Sequence, residues 1–147
     1  MNTTIISSFC LASAMITLVR TQSNLFGEFL RVHNECQVDP ATRIEGNLMD
    51  MAAEGLPVDE YSLGNHLLCM YIRLRIMSGN GWVDVPVTIE QLVAVIDDKA
   101  AVSQAVHRCC GPRRSRETPQ QIAAELFRCV TRNLPALRTV RPPGQSL

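Results

Sequence analysis

The chain has 147 residues, 46% of them hydrophobic, with fourteen basic and fourteen acidic side chains and a formal net charge of zero. That length suits a single domain, and the balanced charge excludes a protein held to nucleic acid or an anionic surface by net charge alone.

Met1 to Leu11 is polar and then apolar, and Ala12-Ser13-Ala14 has the small-residue pattern of a signal-peptide cleavage site. No Lys or Arg precedes the apolar stretch, which continues through Met15 to Val19, so cleavage is expected between 14 and 23, with Thr21 to Ser23 the later option. The sequence then divides into residues 1–23, a removable segment, and 24–147, one helical domain. A first helix of the fold, or a short membrane anchor, is the alternative reading of the leader, which is near the lower length limit for spanning.

From Asn24 to Cys36, Leu25, Phe26, Phe29, Leu30 and His33 recur at three and four residues and predict an amphipathic first helix ending at Cys36. A second helix is expected from Thr42 to Ala53, with Ile44, Leu48, Met51 and Ala52 buried and Gly55-Leu56-Pro57 as its stop. The run Leu67 to Met77 is apolar on nearly every side and must be enclosed by other elements. It is read as the central helix, begun by an Asp59 cap and ended by Ser78-Gly79-Asn80-Gly81.

Trp82-Val83-Asp84-Val85-Pro86 reads as an extended connector. Thr88-Ile89-Glu90-Gln91 has capping-box spacing and predicts the start of a fourth helix, with Ile89, Leu92, Val93 and Ile96 inward. Asp97-Asp98 caps a fifth helix, whose inner stripe is Val102, Ala105, Val106 and Cys109, leaving Cys110 about a hundred degrees round. Thr118, Pro119 and Gln121 start a sixth helix with Ile122, Leu126, Phe127, Cys129 and Val130 inward, and Pro135 ends it. Ala136 to Leu147, with Pro142-Pro143-Gly144, reads as a tail. Six short helices with no credible strand or repeat make an all-α class, a compact bundle.

If Cys10 leaves with the leader, Cys36, Cys69, Cys109, Cys110 and Cys129 remain, a density that suits disulfides in an oxidising compartment. Taken with the helix pattern, this spacing resembles the insect pheromone- and general odorant-binding protein family over the whole mature chain. In that family the second of six cysteines lies four residues before the third, and the fifth nine before the sixth; here those positions hold Asn65 and Gln120. The second and fifth pair with one another, so the joint loss resembles the four-cysteine "minus-C" subgroup. The resemblance implies two disulfides, Cys36 with Cys69 and Cys109 or Cys110 with Cys129, and the inward stripe favours Cys109. It also implies that the missing crosslink leaves the third and sixth helices freer to separate. The fifth thiol is a candidate for dimer formation, so monomer and dimer both stay open.

No H-E-x-x-H, G-x-S-x-G, P-loop or C-x-x-C is present, so no catalytic residue is assigned. His33, His66 and His107 lack metal-ligand spacing, so no metal and no cofactor are expected; they suit pH sensing better. Twelve of the fourteen acids lie at or before Asp98, and eight arginines lie from Arg108 onward. No aromatic residue interleaves with Arg113-Arg114-Arg116, so this run reads as a solvated loop rather than a nucleic-acid contact.

The resemblance implies a secreted, non-enzymatic carrier of small hydrophobic molecules, with an olfactory receptor as a further partner and no membrane insertion. Met70, Leu74, Met77, Trp82, Leu92, Ile96, Val106, Leu126 and Phe127 are the expected lining of its cavity. Tyr71 is a weaker candidate for a polar anchor. Periodicity itself shows only burial, so a secreted helical signalling protein with a solid core is the alternative.

Overall fold

The computed structural model describes residues 27–111 and 117–138. The leader assignment, the Arg113 to Arg116 run and the tail beyond Arg138 lie outside them. Within them the chain forms six helices: α1 (27–38), α2 (Leu48–Ala53), α3 (Glu60–Arg73), α4 (Val85–Val93), α5 (Lys99–Cys109) and α6 (Pro119–Asn133). A 3₁₀ turn, Pro135–Arg138, follows α6. There is no strand among the described residues, only one antiparallel bridge between Met77 and Val83.

Helix starts follow local chemistry where a capping side chain is unambiguous. Asp59 accepts from the Tyr61 amide at the head of α3, and Asp98 accepts from Ala101 at the head of α5. In α6, Thr118 and Gln121 satisfy one another's amides at 3.3 and 2.8 Å with Pro119 in the first turn, the full capping box expected.

Four boundaries differ from expectation. Helix α1 continues two residues past Cys36. Helix α2 begins at Leu48, not Thr42, which turns Met49 and Ala52 inward and leaves Leu48 and Met51 half-buried. Before it, Thr42 donates its hydroxyl to the Cys36 carbonyl at 2.7 Å, and the Gln37 amide brackets the Ile44 backbone at 2.9 and 3.1 Å. These bonds hold residues 39–45 in a loop.

The central helix stops at Arg73, short of Met77. Arg75 adopts φ +60°, a left-handed conformation that ends a helix, and the Ile76 and Met77 amides both turn back to the Tyr71 carbonyl. Met77 is thereby freed to pair with Val83. Helix α4 starts at Val85, because Asp84 caps the Val87 amide at 3.0 Å and Pro86 sits in the first turn, where a missing N–H costs nothing. Thr88, expected as a cap, is instead buried inside α4 and donates to the Asp84 carbonyl at 2.6 Å.

Helix α6 packs against α2, α3 and α5, and α4 packs on α5. Two disulfides staple this arrangement, Cys36–Cys69 between α1 and α3 and Cys109–Cys129 between α5 and α6; Cys110 belongs to neither. The helix-stripe argument for Cys109 over Cys110 therefore agrees with the observed pairing.

Near the start of α6, α3 and α6 are in close contact. A Cβ built on Gly64 would lie 2.7 Å from the Gln120 carbonyl oxygen and 3.0 Å from its Cβ. A glycine inside a helix costs about 1 kcal/mol relative to alanine, and here that cost permits the close approach. Gly64→Ala is expected to destabilise the fold by about 1–3 kcal/mol despite its better helix propensity, because backbone has to move. The urea midpoint reads this directly, and a midpoint at or above wild type would contradict the close packing.

Candidate ligand-binding interior

The apolar core is one continuous cluster. Leu63, Leu67, Met70 and Leu74 from α3 and its cap, Val102 and Val106 from α5, and Ile122, Leu126 and Val130 from α6 form its centre, with Met77, Val83 and Ile96 from the connecting segments. Of the nine expected lining residues, Met70, Leu74, Met77, Ile96, Val106 and Leu126 are buried in this cluster, and Leu92 and Phe127 are half-buried against it.

Trp82 does not share that interior; it stands 73% exposed. The Met77–Val83 bridge is the reason, since side chains alternate across an extended segment and Val83 takes the inward position. The turn is held by the Ser78 amide to the Trp82 carbonyl at 2.9 Å and by Gly81 at φ +87°, whose missing Cβ leaves room for Ile122.

Cover over the cluster is uneven. In α4 only Thr88 is buried, while Val85, Ile89, Leu92 and Val93 are half-covered. Helices α3 and α6, by contrast, place six residues each fully inside.

Four polar side chains are buried among the described residues: His33, His66, Thr88 and Thr131. Each threonine donates to a carbonyl of its own helix turn, Thr88 to Asp84 and Thr131 to Phe127 at 2.9 Å. The histidines form a pair that sequence periodicity does not reveal, because its members are 33 residues apart and on different helices. His66 Nδ1 lies 2.7 Å from the Thr42 carbonyl, and His66 Nε2 lies 3.0 Å from His33 Nδ1. A carbonyl can only accept, so His66 carries its proton on Nδ1 and accepts from His33 at Nε2. Burial, opposed by the Thr42 bond and reinforced by His33, pushes His66 down to about 4, and burial lowers His33 as well. His107 is exposed.

No group of three His, Cys, Asp or Glu side chains among the described residues could hold a metal ion. No helix there is long and apolar enough to cross a membrane. Charge stays at the periphery, as in Arg73 of α3 with Glu35 of α1 at 3.1 Å and Arg128 of α6 with Glu60 of α3.

Six short helices, two disulfides and a methionine- and leucine-rich interior define a small stapled helical domain. The model of the PBP/GOBP family matches residues 20–133, and the chain belongs to that family. Its members are carriers of small hydrophobic molecules, not enzymes. No curated protein and no solved structure matches the chain.

Proposed function

We propose that this protein is a secreted carrier that takes up one small hydrophobic molecule, an odorant, pheromone or comparable lipophile, among the core residues of α3, α5 and α6. The family match over residues 20–133 carries this reading. Two features support it: a large apolar cluster that includes the buried methionines Met49, Met70 and Met77, and the half-covered apolar residues of α4 against that cluster. Asn65 and Gln120 at the positions of the family's second and fifth cysteines, together with the two remaining disulfides, support placing the chain in the four-cysteine subgroup.

Magnitudes constrain the ligand. A ten-carbon chain gains about 0.8 kcal/mol per buried CH₂, roughly 8 kcal/mol in all, against an association cost of at least about 4 kcal/mol. Micromolar affinity corresponds to about 8 kcal/mol, so a ten-carbon chain falls short unaided. A longer chain, a ring or a polar anchor closes the gap.

Uptake of an apolar naphthylamine probe tests the proposal. Saturable fluorescence enhancement, reversed by long-chain alcohols and esters, is the expected result; no saturable uptake would sink it and favour a solid-core signalling protein.

A further inference from the structure

The paired threonines and histidines leave the interior with few groups able to orient a guest, and one of them is Tyr71. It lies two residues before the end of α3, 9% exposed, in the same apolar cluster as Leu67, Met70 and Leu74. Buried tyrosine hydroxyls usually find a partner. Among the described residues the Tyr71 hydroxyl makes no hydrogen bond. The result is a buried donor to which the described residues supply no acceptor.

We propose that the Tyr71 hydroxyl is the polar anchor of the ligand site, donating a hydrogen bond to the single neutral oxygen of an apolar aldehyde, ketone or ester. This deepens the carrier reading and rests on it. Burial first, and the neighbouring Cys110 second, push the phenol up, so it remains a neutral donor throughout the physiological range. The same surroundings disfavour an ionised guest. Among the described residues no Asp, Glu, Lys or Arg is classed as buried, and a carboxylate brought into an apolar interior without a countercharge is heavily penalised. The site accordingly selects neutral, singly oxygenated molecules over fatty-acid anions of equal length.

The test uses the full chain and displacement of the naphthylamine probe by a long-chain aldehyde, an alkene of the same length and the corresponding fatty acid at pH 7. Wild type is expected to prefer the aldehyde over the alkene by about fivefold, as one net hydrogen bond provides, and to bind the acid more weakly than the aldehyde. Tyr71→Phe removes one oxygen and is expected to bring aldehyde and alkene within about twofold, with alkene and probe binding unchanged. A preference that survives in Tyr71→Phe overturns the anchor while leaving the carrier reading intact; absence of probe uptake by wild type overturns both. A second readout does not depend on the stability of that variant. The chain has two tyrosines, so Tyr61→Phe leaves Tyr71 as the one phenol. Its absorption band is expected to shift on adding the aldehyde but not the alkene, and equal spectra with both would refute the hydrogen bond.

Discussion

Replacing Cys36 and Cys69 together by alanine is expected to lower the stability of the fold by about 4 kcal/mol, the largest effect of any change considered for this domain. The bond closes a loop with a sequence separation of 33 residues and ties α1 directly to α3. Constraining the unfolded chain over that length gives the quoted magnitude, and loss of the packing around Cys36, which is 0% exposed, adds to it. Domains of this size are stable by about 5–15 kcal/mol, so the variant should sit near the threshold of folding at physiological temperature. The matching replacement of Cys109 and Cys129, separated by 20 residues and both half-buried, is expected to cost about 3 kcal/mol. Chemical denaturation of the two double variants checks the order; a smaller loss for Cys36 and Cys69 than for Cys109 and Cys129 would contradict the role assigned to the α1 staple.

Acidification should destabilise the same corner of the molecule by about 3 kcal/mol. His66 titrates at about 4 when folded and near 6.5 when unfolded, so between those values the unfolded chain binds the extra proton. Stability contributed by the neutral imidazole is complete above pH 6.5, falls as the pH drops through that window, and is gone below about pH 4. The hydrogen-bond pattern explains why the fold resists the proton. His66 already donates through Nδ1 to Thr42, and a proton on Nε2 would set it against the N–H of His33. His33, lowered by burial in the same direction, adds to the slope. Urea midpoints measured from pH 7 to pH 4 should fall steadily, and His66→Gln should be less stable at pH 7 but flatter with pH. A wild-type midpoint that is constant over this range would refute the buried neutral pair.

Features encoded within a few residues were legible in the sequence. Thr118, Pro119 and Gln121 announce α6 because a capping box is complete within four positions, and Asp59 and Asp98 do the same for α3 and α5. The disulfide partners were implied by the family resemblance, and helical phase favoured Cys109 with Cys110 left as the alternative. The failures arise where competing local signals are decided at a distance. Asp84 and Thr88 each offer a cap, and Asp84 prevails because Pro86 fits the first turn it creates. The apolar run from Leu67 looks helical through Met77, yet Met77 leaves the helix to pair with Val83, which sends Trp82 outward. The His33–His66 pair and the contact of Gly64 with Gln120 join distant segments, and no short-range pattern marks either. Most of the interior was recognisable as apolar and Tyr71 was already a candidate anchor, but which hydroxyls and ring nitrogens already had partners was not legible.

Calorimetric titration of the full chain with a neutral long-chain ester at several temperatures shows whether the apolar interior admits a guest. Saturation at one molecule per chain with a negative heat-capacity change, the mark of apolar surface leaving water, is the expected result. Absence of saturable heat at every temperature, in protein shown to be folded with both disulfides formed, would contradict it.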